Sequence, residues 1–337
     1  MTAERVHDIS EFELIRRLRD ALPDSVRASN EVPVGIGDDT AVWQPPAGES
    51  VLVTTDSLID TVHFRTDWTS WHDLGWKSLA VNISDIAAMG GVPKLATVSL
   101  ALTGEERVAN MVEFYQGIGD IAIREGVVLA GGDIVRAPHD FGIHVTLLGS
   151  TRNGRFLTRS DAQPGDIIAV TGTLGADAAG LELLQVPEND PRRTAATAPL
   201  LIAAHTHPEP RVRAGRLALE HGAHAAMDLS DGLYGDLPKI LAASGVSAEI
   251  DLASIPVAAA IRALFPARWL ELATRGGEDY ELLLTIPPEL FEEFREAMVS
   301  YGETNLSISL YIKPRQLKKK NFITAKFYRK RVLMKLK

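Results

Sequence analysis

Cysteine is absent from the 337 residues, which excludes a disulfide framework, a thiolate nucleophile, zinc–thiolate sites and iron–sulfur clusters together. Long apolar runs are missing too. None reaches the roughly 18 residues that a membrane-spanning helix needs. The opening Met1-Thr2-Ala3-Glu4-Arg5-Val6-His7-Asp8 has neither the basic nor the apolar stretch of a secretory signal, so the expected location is the cytoplasm. There is no Gly-x-x-x-x-Gly-Lys-Ser/Thr loop, no protein-kinase set of His-Arg-Asp with Asp-Phe-Gly, and no Gly-x-Ser-x-Gly. What is present is 45% apolar and 23% charged residues, the balance of a soluble globular chain long enough for two domains.

The formal net charge of −9 hides an asymmetry. From Tyr301 to Lys337 there are 11 Lys and Arg against the single acid Glu303, leaving 24 basic and 43 acidic residues before it, a net of −19. A body that acidic repels nucleic acid and phosphate unless metal ions intervene. The basic end, with Lys318-Lys319-Lys320 and Arg329-Lys330-Arg331, reads as a solvated extension or as chain foreign to the rest. A nucleic-acid or membrane-surface arm is the weaker reading.

Ser10-Glu11-Phe12-Glu13 is a capping-box pattern that predicts a helix through about Ala21. Strands are expected at 50–56, 95–102, 127–130 and 141–149, with helices over 73–89 and 105–124. After the turn Pro164-Gly165-Asp166, further strands are expected at 167–170, 223–229, 250–252 and 281–286, with helices near 211–221 and 287–300. The stretch 186–199 reads as a surface loop, and His205-Thr206-His207 as a solvated loop. The organisation expected is 1–150, an N-terminal α+β domain; 151–300, a second domain; and 301–337, an atypical basic tail. No repeat of solenoid period is present.

The informative pattern is where the acids fall. Gly37-Asp38-Asp39, Thr54-Thr55-Asp56, Gly131-Gly132-Asp133, Asp228-Leu229-Ser230-Asp231 and Gly277-Glu278-Asp279 follow or end apolar stretches, and Asp85 interrupts an apolar helix. One such acid is ordinarily a turn or cap residue. Five clusters, each beside Gly, Ser or Thr, point instead to carboxylates that share hard cations with a polyphosphate, the habit of Mg²⁺. The glycines let backbone N–H groups approach the anion. EF-hand spacing is missing, which disfavours calcium.

These residues resemble the thiamine-monophosphate kinase family, of the superfamily that includes aminoimidazole ribonucleotide synthetase and selenophosphate synthetase. The matching stretches are 35–42, 54–57 with His63-Phe64, 77–90, 131–133, 157–160, 170–175, 227–233 and 276–282. They run in family order over roughly residues 10–300. The resemblance implies transfer of the ATP γ-phosphoryl group to thiamine monophosphate, directly and without a phosphoenzyme. It implies magnesium ligands at Asp39, Thr54, Thr55, Asp56, Asp85, Asp133, Asp228 and Asp231. Nucleotide contacts fall on Tyr115, Gly132, Asp133, Arg159 and Ser230, and substrate contacts on His63 and Glu278. Asp133, Asp231 and Arg159 are the expected catalytic set, with Arg136 assisting. The implied fold is a two-domain α+β chain: an N-terminal α+β domain that forms a dimeric β-barrel, and a C-terminal α/β domain. A homodimer follows from it.

The chemistry agrees with the residues. The acceptor is a phosphate already ionised at neutral pH, so no general base is needed, and the task is positioning plus charge screening. The departure from the family is the chain end, which has no tryptophan and one glycine, Gly302. Tyr311, Phe322, Phe327 and Tyr328 are the aromatics available there to replace a substrate contact. Two other readings stay open: a nucleotide-binding protein without turnover, its substrate side altered with the tail, or another ATP-dependent member of the superfamily. Selenophosphate chemistry is disfavoured by the missing cysteine.

Overall fold

The computed structural model describes residues 4–36 and 40–301, and the backbone of the strands within 306–336. Two compact units emerge: residues 1–86 with 92–154, and residues 87–91 with 155–337.

In the first unit the chain runs α1 (Glu11–Ala21), α2 (Asp24–Arg27), β1 (Ser50–Ile59), α3 (Trp71–Ala88), β2 (Val92–Leu102), α4 (Val108–Glu125), β3 (Val128–Arg136) and β4 (Gly142–Thr151). Ser10 caps α1 as its sequence demands, its side chain accepting the Glu13 N–H at 3.3 Å. The strands form one sheet in the order β1-β4-β2-β3. β2 and β3 are parallel, joined through α4, and the other pairs are antiparallel. One face of the sheet is apolar, with Val98, Leu100, Val145 and Leu147 buried. Helices α3 and α4 touch backbone to backbone. A Cβ on Gly75 would lie 1.9 Å from the Phe114 carbonyl, and one on Gly117 would lie 1.9 Å from the His72 carbonyl. Only glycine permits that approach.

The second unit contains β5 (Ile167–Thr171), α5 (Ala176–Gln185), α6 (Ala198–Thr206), α7 (Val212–Glu220), β6 (Ala225–Asp228), α8 (Leu233–Ser244), β7 (Ser247–Asp251), α9 (Ala259–Leu264), α10 (Trp269–Arg275), β8 (Leu282–Ile286) and α11 (Pro288–Ser300). The strands β9 (Leu306–Lys313), β10 (Ile323–Tyr328) and β11 (Arg331–Leu336) complete it. Its sheet has seven strands in the order β10-β11-β7-β9-β5-β8-β6, and every pairing is antiparallel. That corrects the expected α/β layering to α+β. Strands β5 and β6 are both buried, yet β8 returns from the far end of the chain and separates them. Neither sheet closes on itself.

Two expectations change here. The carboxylates of Thr54-Thr55-Asp56 and Gly131-Gly132-Asp133 lie inside β1 and β3 rather than at strand ends. Both are edge strands, and edge strands tolerate polar residues because one flank faces no partner strand among the described residues. Parts of the chain end belong to the sheet: the backbone of β9 pairs with β5 and β7, and that of β11 with β7, whereas Lys318-Lys319-Lys320 and Arg329-Lys330 lie outside the described residues. The charge count missed this because strand pairing is made by backbone groups, and 306–312 alternates in the strand period. The side chains of Tyr311, Phe322, Phe327 and Tyr328 lie outside the described residues.

Candidate active site

The first group of acids gathers where β1 passes α3. Side chains of a strand alternate between faces, so Thr54 and Asp56 share one face and Thr55 takes the other. Thr54 Oγ1 donates to Asp85 Oδ2 at 2.5 Å. Burial, and then the neighbouring Asp85 carboxylate, push the Asp56 carboxyl up to about 6 against the opposing pull of His63. His63 is exposed, and its Nδ1 accepts the Ile59 N–H at 3.2 Å, closing the turn after β1. Thr55 instead donates to the Val145 carbonyl at 2.9 Å and accepts from Thr146 at 3.2 Å. The structure thus brings Thr54, Asp56, Asp85 and His63 together and turns the Thr55 side chain away.

The second group sits on the opposite edge. Tyr115, Gly132 and Asp133 line one small open cleft with Leu18, Arg19 and Val98. Tyr115 is buried, which pushes its phenol well up and keeps it protonated. A Cβ on Gly132 would lie 2.0 Å from the Val98 carbonyl, so the parallel β2–β3 pairing itself requires glycine there. Asp133 is exposed, its Oδ1 accepting the Ile134 N–H at 2.9 Å. Two strands separate β1 from β3, a span of roughly 14 Å at the usual strand spacing. Asp56 and Asp133 of one chain therefore cannot hold one ion. Arg136, at the end of β3, is exposed. Asp39 lies outside the described residues.

The third group belongs to the second unit. Asp228 ends β6 and is buried; Ser230 and Asp231 form the turn into α8. The Glu278 N–H donates to the Ser230 carbonyl at 2.9 Å, and the Tyr280 N–H to the Leu229 carbonyl at 3.0 Å. Glycines make this interlock possible. A Cβ on Gly277 would meet the Ser230 carbonyl at 2.5 Å, and one on Gly232 the Gly276 carbonyl at 2.3 Å. Glu278 and Tyr280 adopt left-handed backbone, φ 61° and 50°, an arrangement that non-glycine residues hold only where surroundings enforce it. Asp228, Ser230, Asp231 and Glu278 are thereby held on two interlocked loops. Arg159 is exposed, its carbonyl accepting from Ser244 Oγ at 2.9 Å.

Two readings are corrected. Asp279 is a structural cap: its carboxylate accepts the Gly175 N–H at 2.7 Å and the Asp177 N–H at 3.2 Å, and burial raises its pKa well above the ordinary range. His205 is not on a solvated loop. It sits in the last turn of α6, buried, with Nδ1 2.9 Å from Asp177 Oδ2. The apolar run Ala198–Ala204 carries the helix through a stretch whose Pro and His suggested a loop. Sequence reasoning also missed Lys239, which reaches Asp231 and Asp236. Its one signal was a lysine three residues after Asp236 on the same helix face.

Residues 37–151 match the model of the AIR synthase related protein N-terminal domain, and residues 163–308 that of the C-terminal domain. The chain is 39% identical to the thiamine-monophosphate kinase of Bacillus subtilis (strain 168) over 288 residues, covering 86% of this chain and 87% of that protein. It is 42% identical to that of Escherichia coli (strain K12) over 281 residues, 82% of each. The crystal structure of thiamine-monophosphate kinase from Stenotrophomonas maltophilia K279a superposes with a TM-score of 0.81 at 37% identity, covering 91% of this chain and 95% of that one. The structure of AaThiL complexed with AMPPCP and TMP superposes with a TM-score of 0.71 at 32% identity, covering 93% and 94%. The chain described here belongs to the thiamine-monophosphate kinase family, built from the two AIR-synthase-related domains.

Proposed function

We propose that this chain transfers the γ-phosphoryl group of ATP to thiamine monophosphate, giving thiamine diphosphate and ADP. The observation that carries the reading is the cleft at β3, where Tyr115, Gly132 and Asp133 come together although Tyr115 is far from the other two in sequence. In the transfer, an oxygen of the acceptor phosphate forms a bond to Pγ as the bond from Pγ to the β–γ bridging oxygen breaks. No proton has to be removed from the acceptor at neutral pH. Gly132 leaves the backbone open to the nucleotide, Tyr115 walls the cleft, and Arg159 with Ser230 contacts the phosphates. Arg136 assists Arg159. His63 and Glu278 hold the thiamine phosphate, Glu278 through a backbone conformation locked by the Ser230 and Leu229 carbonyls.

The donor set fits magnesium. Asp56 and Asp85 are like charges close enough to raise one of them, and the Asp231 carboxylate already attracts a cation, the ammonium of Lys239. Thr54, Asp56 and Asp85 form one set of ligands, Asp133 another, and Asp228 with Asp231 a third; Asp39 is a further ligand by family position alone. Thr55, whose side chain donates to the Val145 carbonyl on the other face, has no side-chain place in the first set. Bound magnesium would screen the charge of the two phosphates as they approach.

The cytoplasm is the proposed location. No helix of the described residues is long and apolar enough to cross a membrane. The chain also acts as a homodimer closed through the first unit's sheet into a barrel. Its edge strand β1 exposes Val51 and Val53, and β3 exposes Val135, apolar side chains that an open edge otherwise leaves in water. The test of function is thiamine diphosphate formation from ATP, thiamine monophosphate and Mg²⁺, with Asp133→Ala alongside. Because Asp133 is exposed, the variant should melt like the parent, within about 0.5 kcal/mol, yet lose product at least 100-fold. Nucleotide binding without product in the parent would leave a binding protein; no binding would overturn the assignment.

A further inference from the structure

Lys239 lies on α8 and has no place in the reaction as proposed. Its Nζ donates to Asp231 Oδ2 at 2.5 Å and to Asp236 Oδ1 at 2.7 Å. The two carboxylates differ in kind. The Asp236 side chain is fully buried, whereas that of Asp231 is 64% exposed. The remaining oxygen of Asp236 accepts the Asp231 N–H at 2.8 Å, so the buried acid also fixes the backbone from which Asp231 projects. One end of the bridge is therefore anchored and the other is open to solvent.

We propose that Lys239 is a built-in cation that occupies Asp231 until a divalent ion takes its place, and so sets how much magnesium the β6–α8 turn requires. The inference rests on the assignment of Asp231 as a metal ligand. An ammonium and a hydrated divalent ion make the same demand on a carboxylate oxygen, and at 2.5 Å the amine fills the position an ion needs. Displacement is easy because Lys239 keeps Asp236 as its partner, and a buried carboxylate retains its counter-charge when Asp231 is released. Exposed ion pairs are weak, so the competition is worth a small factor. The amine also keeps Asp231 neutralised and ordered when no ion is bound, which limits repulsion with the nearby buried Asp228 in a strongly acidic body.

The measurement is Mn²⁺ and Mg²⁺ binding by calorimetry to the full chain without nucleotide, comparing the parent with Lys239→Gln and Asp231→Asn. Lys239→Gln keeps a donor for Asp236 and removes the charge; it should bind the ion about two- to five-fold more tightly. Unchanged or weaker affinity in a Lys239→Gln protein that melts cooperatively overturns the proposal. Asp231→Asn separates this from the reading beneath it. Loss of an ion in Asp231→Asn with no gain in Lys239→Gln rejects competition alone, and no loss in Asp231→Asn rejects Asp231 as a ligand. A measurement on the parent protects against a variant that does not fold. Acylation of the Lys239 amine, followed by peptide mass spectrometry, should speed up as Mg²⁺ is added, and a constant rate rejects the proposal.

Discussion

Asp56 illustrates how one side chain reports a missing counter-charge. Its carboxyl is raised to about 6, first by burial and then by Asp85. A carboxyl whose folded pKa lies above the ordinary value near ~3.9 holds a proton that the unfolded chain has already lost. Stability without metal therefore falls as pH rises from about 4 to about 6, and the whole penalty is present above that window. Asp56→Asn removes the penalty. Melted in a chelator, the variant should match the parent near pH 4 and exceed it at pH 7.5 by on the order of 1 kcal/mol, discounted because the side chain is partly solvated. A gap independent of pH would show that Asp56 ionises without strain. Saturating Mg²⁺ should abolish the gap, because the ion stabilises the parent's carboxylate.

Helices α3 and α4 position groups from both edges of the first unit. α3 carries Asp85 toward β1, and α4 carries Tyr115 into the cleft at β3. Their closeness depends on Gly75 and Gly117, each against a carbonyl of the other helix. Gly117→Ala cannot be absorbed by rotating a side chain, since the obstacle is backbone, and the helices must separate. A loss of about 3 kcal/mol in denaturant melts is expected, together with weaker ATP binding as Tyr115 moves. Ile123→Ala, on the half-exposed face of the same helix, should cost under about 0.5 kcal/mol and leave binding intact. An effect of Gly117→Ala as small as that of Ile123→Ala would mean the helix is tolerant throughout. The same device recurs in the second unit, where Gly180 of α5 meets the Leu201 carbonyl of α6.

Among the described residues no strand covers either edge of the first unit's sheet, and the proposed dimer rests on those edges. Val53 on β1 is 67% exposed in the middle of an edge strand. If a second copy covers that edge, Val53→Lys places a charge in a closed barrel and should shift light-scattering mass from two chains to one at micromolar concentration. Melting of a monomeric chain should change little, because the same charge on a free edge is harmless. A parent that is already monomeric would sink the dimeric reading while leaving the fold intact.

Much of the local structure was legible because it is written in local physics. The Ser10 cap, the strand read at 50–56 and extended to Ile59 in the fold, and the helix ended by Gly90 with φ 71° depend on spacing and on backbone preference within a few residues. The ordered carboxylate stretches named the family, since such an ordered set does not arise from turn chemistry. What remained hidden was every decision made by distant partners. His205 became a buried helix residue because Asp177 faces it, and Asp279 became a cap because α5 presents its N–H groups there. The separation of Asp56 from Asp133 follows from strand order, and no stretch of sequence carries strand order. β9 entered the sheet because β5 and β7 offer backbone groups to a strand between them. Periodicity and capping are short-range and can be read along a chain; partnership across a sheet or between helices is settled by which groups the finished fold leaves unpaired, and packing alone determines that.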